Sequence, residues 1–215
     1  MAGLVLAAGA GSRLRRPKAT VRLGGATLLA RAVGALRAAG CDPVLAVVGA
    51  AGEEAAAEAG RAGARPVANP DWASGLGSSL RVGLEAVPPG CAAVAVLLVD
   101  QPLVGAEAVR RVVAAHRADL AGADRRPAAR ATYGGVPGHP VVLGRVVLRE
   151  LAAGLSGDSG AREWLRANAH LVVPVPCDGI GDPVDVGTPE ALRAVAERLG
   201  STFEGEREGE TSWRG

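Results

Sequence analysis

Residues 92–99 read Ala-Ala-Val-Ala-Val-Leu-Leu-Val, apolar without a break, and the run stops at Asp100. A strand with one wet face alternates apolar and polar side chains. A strand that is apolar throughout must be covered on both faces, as in a parallel sheet between two layers of helices. Shorter strand-like runs stand at residues 3–8, 43–48 and 65–68. Between them the apolar spacing becomes helical. Thr27 caps a helix whose apolar positions Leu28, Leu29, Ala32, Val33 and Leu36 share one face and which ends at Gly40. Further helices are predicted over residues 53–61, 78–86, 106–117, 145–153, 159–167 and, capped by Thr188, 189–199. Late strands are predicted over 140–143 and 170–175, and residues 119–138, rich in Gly, Pro and Arg, read as irregular. Strand and helix in alternation define a three-layer α/β fold with a mostly parallel sheet. One domain is expected over residues 1–202. Residues 203–215, charged and glycine-rich without periodicity, read as a disordered tail.

Composition removes several function classes. A chain of 215 residues that is 48% apolar has room for a sizeable core. A net charge of +2 with scattered arginines leaves no electrostatic footprint for nucleic acid or an anionic membrane. With three Trp, one Tyr and one Phe, stacking along a single strand has too few platforms. No apolar run approaches the roughly 20 residues that span a bilayer, and no basic segment precedes the first strand. A cytoplasmic protein with no nucleic-acid or membrane partner is expected. Cys41, Cys91 and Cys177 are odd in number and far apart, so they read as buried fillers rather than a zinc site. His116 and His170 read as helix-surface and strand-end residues.

In open parallel sheets ligands bind beyond the carboxyl ends of the strands. Residues 9–25, longer than the usual connection of about 4–6 residues, therefore lie at the ligand edge. There Gly9 and Gly11 allow a tight turn and a close backbone approach, and Arg13 and Lys18 supply cations, a combination suited to a polyphosphate. A dinucleotide fingerprint fails, because Leu14 stands at the third glycine position and Pro17 interrupts any helix. A Walker loop fails too, since the order is Pro17-Lys18-Ala19. Lys18 is the sole lysine among 24 basic residues, a compact point charge that the planar guanidinium does not reproduce. Arg16 reads as a solvated loop residue.

Asp100, ending the most apolar strand, lies where Mg²⁺ would meet phosphates, and one or two carboxylates suffice for that ion. Asp185 is the second candidate ligand and reads equally as a brace for the N-terminus of the last helix. Ser78 and Ser79 open a helix as caps, and Gly75 and Gly77 let a ligand approach the backbone. Trp72 in its polar loop suits either stacking or packing. His139, between Gly138 and Pro140, suits either a hydrogen-bonding or a catalytic role.

Taken in order, these segments carry a resemblance. Leu6-Ala7-Ala8-Gly9-Ala10-Gly11-Ser12-Arg13, followed by Pro17-Lys18, resembles the signature of the nucleotidyltransferases similar to the molybdenum cofactor guanylyl- and cytidylyltransferases. Asn69-Pro70-Asp71-Trp72-Ala73-Ser74-Gly75 with Ser78-Ser79-Leu80 resembles the base and substrate loop of the cytidylyltransferase branch. Val99-Asp100-Gln101-Pro102 resembles its metal segment, Gly138-His139-Pro140 its substrate-side motif, and Asp185-Val186-Gly187-Thr188-Pro189-Glu190 its closing motif. The resemblance covers roughly residues 3 to 200 and implies a Rossmann-like nucleotidyltransferase fold. It also implies CTP as the nucleotide, through the Leu-Ala-Ala-Gly form, with Mg²⁺ as cofactor. The acceptor it implies is small and phosphorylated, molybdopterin bearing molybdenum.

By the same resemblance Leu6, Ala7, Ala8, Gly9, Gly11, Arg13, Lys18, Gly75, Ser78 and Ser79 would hold the nucleotide. Asn69, Trp72, Gln101 and His139 would face the acceptor, Asp100 and Asp185 the metal, and Arg13, Lys18 and Asp100 would carry catalysis. Two departures stand out. Arg13-Leu14-Arg15 replaces the usual Arg-Met-Gly, so the long Arg15 side chain would block or re-aim the phosphate loop. Gly187 and Ala191 replace acidic residues, which weakens Asp185 as a ligand. Three rivals remain: an NAD(P)H- or flavin-dependent oxidoreductase of the nicotine blue oxidoreductase type, a transferase for a sugar or alcohol phosphate, and an accessory protein that delivers cofactor to a molybdenum enzyme.

Overall fold

Strand β1 (Ala2–Leu6) occupies the middle of a seven-stranded sheet in the computed structural model, which describes residues 1–155 and 161–201. The loop after it makes two single 3-10 turns, Ser12–Leu14 and Lys18–Thr20, and a short hairpin of β2 (Arg22–Leu23) and β3 (Ala26–Thr27). Then follow α1 (Leu28–Ala38), β4 (Val44–Val48), α2 (Gly52–Arg61), β5 (Arg65–Ala68), a 3-10 turn at Trp72–Ser74, α3 (Leu76–Glu85) and β6 (Ala93–Leu98). The second half comprises α4 (Ala106–Ala121), β7 (Ala128–Tyr133), β8 (Val136–Gly144), α5 (Arg145–Gly154), α6 (Arg162–Ala167), β9 (Val172–Pro176) and α7 (Pro189–Arg198).

The sheet order is β5-β4-β1-β6-β8-β7-β9. Only β8 runs against its neighbours, so the sheet is mostly parallel. Alternate residues of each central strand feed opposite cores. Val5, Ala46 and Leu97 pack with Leu29 and Val33 of α1 and Val109 and Val112 of α4, whereas Leu4, Val47 and Val94 pack with Leu80 and Leu84 of α3 and Leu148 of α5. Both faces are thus apolar, which explains the unbroken runs in the sequence. α3 lies so close to the sheet that a Cβ on Gly83 would sit 2.8 Å from a Leu4 methyl. From β1 the chain moves one way through α1 to β4 and β5, then returns to place β6 on the other side. The loops leaving the carboxyl ends of β1 and β6 therefore diverge, and a crevice opens between them.

Helix ends follow local chemistry. Thr27 Oγ1 accepts from the Ala30 N–H at 3.0 Å and donates to Glu58 Oε1 at 2.7 Å, capping α1 and fastening it to α2. Thr188 Oγ1 accepts from the Ala191 N–H and Pro189 begins α7.

Several expected boundaries move. Residues 119–138 are irregular only over 122–127: α4 continues to Ala121, and β7 and β8 form a hairpin across Gly134 and Gly135, both with positive φ. α3 begins at Leu76, so Ser78 and Ser79 are buried inside the helix rather than capping it. His116 is not at the surface: it is 1% exposed, with Nε2 3.3 Å from the Pro127 carbonyl. Cys41, Cys91 and Cys177 are buried free thiols. Residues 159 and 160 of the expected sixth helix, and the 203–215 tail, lie outside the described residues. No helix among the described residues is long and apolar enough to cross a membrane.

Candidate active site

The loop after β1 turns on Gly11. Its φ is 62°, and a Cβ there would meet the Arg16 carbonyl oxygen at 2.2 Å, so only glycine closes the turn. Gly9 does not share that constraint. It has no positive φ, and nothing lies within 4 Å of the position a Cβ would take, so its contribution is open space. Arg15 also takes the left-handed conformation, with φ 55° and ψ 20°, and its N–H closes the Ser12–Leu14 turn on the Ser12 carbonyl. The Arg15 side chain is exposed and does not line the crevice, so the expected obstruction is absent. Leu14, at the position a dinucleotide motif gives to glycine, is buried and anchors the loop.

Lys18 Nζ donates to Asp100 Oδ2 at 2.5 Å, which joins the loop after β1 to the end of β6. The two side chains are 21% and 19% exposed, covered but within reach of a ligand. They line a cavity of about 420 Å³ together with Leu6, Ala8, Gly9, Gly11, Arg13, Trp72, Gly75, Ser79 and Gly187. Across its mouth, a Cβ on Gly187 would lie 3.5 Å from Arg13 Nη2. With glycine at 187, that guanidinium has no carboxylate partner among the described residues. Trp72 is rooted on Gly49, where a Cβ would come within 2.5 Å of its own Cβ, and forms one wall.

Not every expected residue reaches this cavity. Ala7 points into the opposite core and its N–H bonds to the Val47 carbonyl. Asn69, expected on the acceptor, is 2% exposed, and its Nδ2 donates to Ser78 Oγ at 2.9 Å and Ser79 Oγ at 3.0 Å. Ser78 Oγ lies within hydrogen-bonding distance of the Asp71 and Gly75 carbonyls, so Asn69 and Ser78 shape the loop without lining the cavity. Gln101 Nε2 donates to the Pro183 carbonyl at 3.2 Å and to Asp185 Oδ1 at 2.9 Å. It thereby fastens the closing segment over β6, aided by the Val186 N–H on the Asp100 carbonyl. Asp185 is exposed and outside the cavity lining.

Asp100 is the sole carboxylate lining the cavity, and no group of three or more His, Cys, Asp or Glu suited to a metal occurs among the described residues. That donor set does not make an all-protein cage. It fits Mg²⁺ held by one carboxylate, with phosphate oxygens and water completing the shell.

His139 lies in a smaller chamber of about 110 Å³ that shares Leu6, Leu76 and Leu98 with the first. Arg130 and Arg162 line this chamber too; nothing in the sequence singled them out, because residue 130 falls where no strand was expected. Burial, reinforced by the Arg130 charge, pushes the His139 imidazole down to about 4. The ring is therefore neutral at pH 7. A lowered histidine pKa favours the folded protein above the unfolded value of about 6.5, and that contribution is lost as pH falls toward about 4. Wild-type protein should lose more thermal stability than His139→Gln between pH 7 and pH 4.5; equal losses in parallel melts would contradict the assignment.

Residues 3–174 match a protein family described as the MobA-like NTP transferase domain. A relative from Paenarthrobacter nicotinovorans, named nicotine blue oxidoreductase, is 35% identical over 191 residues, covering 88% of this chain and 93% of that protein. The bifunctional IPC transferase and DIPP synthase of Rubrobacter xylanophilus is 34% identical over 231 residues, covering 91% of this chain and 51% of that protein, about half its length. Among solved structures, Rv0371c from Mycobacterium tuberculosis H37Rv has a TM-score of 0.74 and 31% identity, covering 91% of this chain and 97% of that one. Rv0371c has also been solved in complex with manganese, with a TM-score of 0.72, 30% identity and the same 91% and 97% coverage.

Proposed function

The chain belongs to the MobA-like NTP transferase family, and from that premise we propose that it transfers CMP from CTP to the phosphate of a small acceptor, releasing pyrophosphate. The observation that carries this reading is the meeting of Lys18 and Asp100 at 2.5 Å, beside Arg13 and the Gly11 turn, in a cavity where the loops from β1 and β6 diverge. CTP follows from the resemblance of Leu6-Ala7-Ala8-Gly9 to the cytidylyltransferase signature, as does molybdopterin bearing molybdenum as acceptor.

An oxygen of the acceptor phosphate attacks the α-phosphorus; the new P–O bond forms as the bond to the β-phosphate bridging oxygen breaks, and pyrophosphate departs with that electron pair. A phosphate monoester with a second pKa of about 6 is already ionised at neutral pH, so neither a covalent nucleophile nor a general base is required. The work left to the protein is positioning and charge neutralisation. Arg13 and Lys18 hold the triphosphate and neutralise the leaving pyrophosphate. Asp100 would hold Mg²⁺, which when bound supplies positive charge between the nucleotide and acceptor phosphates; the manganese complex of Rv0371c supports a divalent ion in this family. Before ligand arrives, the ion pair keeps both charges compensated. The backbone at Gly75 and the Ser79 hydroxyl face the base, with Trp72 as a flat wall. The whole reaction belongs to a cytoplasmic enzyme.

The test is pyrophosphate release from CTP with Mg²⁺ and molybdopterin bearing molybdenum. CTP-dependent release that stops when either the acceptor or the metal is withheld is expected. Release with sugar or alcohol phosphates alone would move the acceptor to another class.

The name of the Paenarthrobacter relative favours a second reading, electron transfer from a nicotinamide or flavin. Local geometry opposes a bound dinucleotide: Gly11 leads into a three-residue turn, not the helix N-terminus on which a dinucleotide pyrophosphate rests.

A further inference from the structure

The small chamber around His139 is a neck rather than an end. It shares Arg130, Arg162 and Leu165 with a third hollow of about 590 Å³, which Arg166 and Thr132 also line. The three hollows adjoin through these shared residues, from the Lys18 and Asp100 pair, past apolar walls such as Leu80 and Val141, toward the β7 and β9 edge.

Beyond Asp100, the charged side chains that line the neck and the outer hollow are all cationic among the described residues. Arg130 enters from β7 and, among the described residues, its guanidinium donates only to the Gly138 and Pro137 carbonyls. Arg162 and Arg166 are exposed on α6, one helical turn apart and so on one side of it. Among the described residues neither forms an ion pair and no carboxylate lines the neck or the hollow. Burial, and after it the charge of Arg162, lowers the Arg130 pKa from its ordinary value. Three guanidiniums around one hollow, on two different elements, suit an anionic group supplied from outside, since planar forks bind phosphate and carboxylate in bidentate fashion.

From this, we infer that the acceptor is anionic at both ends: its reacting phosphate lies beside Asp100, its apolar middle passes the neck, and a second phosphate or carboxylate sits among Arg130, Arg162 and Arg166. The inference rests on the nucleotidyltransferase reading but not on molybdopterin, which carries a single phosphate on a polar pterin, and it names a different chemical class of acceptor. It also gives α6 a role in choosing substrate.

The probes are linear alkane-α,ω-bisphosphates of four to ten carbons, each compared with the ω-hydroxyalkyl monophosphate of the same length. Binding is measured by calorimetry on the protein saturated with Mg²⁺ and α,β-methylene-CTP, in which the oxygen of the breaking bond is replaced by carbon and no turnover occurs, after CTP itself has been titrated into the protein with Mg²⁺. At one or more chain lengths the bisphosphate should bind at least ten-fold more tightly than its monophosphate. That advantage should vanish in Arg162→Ala/Arg166→Ala, which alters only exposed side chains, and persist in Arg65→Ala/Arg193→Ala, which removes the same charge elsewhere. No advantage at any length, an advantage that survives in the α6 variant, or an equal loss in both variants would overturn the inference. Failure of CTP itself to bind would instead overturn the nucleotidyltransferase reading.

Discussion

Lys18→Ala should lower the rate of CTP-dependent pyrophosphate release by about 10²–10³-fold, the size of effect seen when one aimed donor to developing charge is removed. Its folding should be little changed. The ion pair to Asp100 is partly open to water, with side chains 21% and 19% exposed, so its contribution to stability is at most about 1 kcal/mol. The loss therefore separates chemistry from structure, which denaturant curves recorded beside the kinetics would show. Lys18→Arg should recover only part of the rate, because a planar fork on a different stem cannot take the place of a compact ammonium. Release at the wild-type rate from Lys18→Ala would remove Lys18 from the mechanism.

Gly11→Ala should abolish stabilisation by CTP. A Cβ at this residue meets the Arg16 carbonyl oxygen at 2.2 Å, and the φ of 62° is one that L side chains rarely adopt. Left-handed backbone costs a residue with a Cβ about 1–2 kcal/mol, and the clash must also move the chain between Gly11 and Lys18. Moving it pulls Arg13 and Lys18 off the cavity, so the nucleotide loses its cationic partners even where the sheet survives. Gly9→Ala is the matched control for the fold alone: with open space around the added methyl and no positive φ, its thermal midpoint without ligand should equal that of the wild type. If Gly11→Ala binds CTP as tightly as the wild type, the turn has no part in the site.

The site was legible in the sequence where topology does the bringing together. Lys18 and Asp100 are 82 residues apart, yet each follows the carboxyl end of an apolar strand, and a parallel sheet sets such ends side by side. What the sequence conceals is which way a polar side chain turns. Asn69 and Gln101 stand in loops beside the site and look like ligand residues, but each spends its amide on holding another segment of the protein. The β7 and β8 hairpin was hidden for another reason. Ala128–Tyr133 has little β-branched or aromatic content and becomes a strand through pairing on both sides, with β8 and β9. Gly134-Gly135, a two-residue turn with φ of 56° and 78°, is the signal that marks it. Missing that hairpin also hid Arg130. The start of α3 was obscured by Gly75 and Gly77, which read as loop although Gly77 is buried within the helix.

Thermal unfolding of the wild-type protein with CTP, GTP, ATP, UTP and NADPH, each with and without Mg²⁺, bears most directly on the nucleotide site and needs no acceptor. Mg-CTP at a hundred times its dissociation constant should stabilise the fold by about 2.7 kcal/mol, a rise of about 5–10 °C for a chain of this size. The other triphosphates should give smaller shifts, and CTP without Mg²⁺ should lose part of its effect. A rise with NADPH alone, and none with any triphosphate, would contradict nucleotidyl transfer and return the protein to the oxidoreductase class.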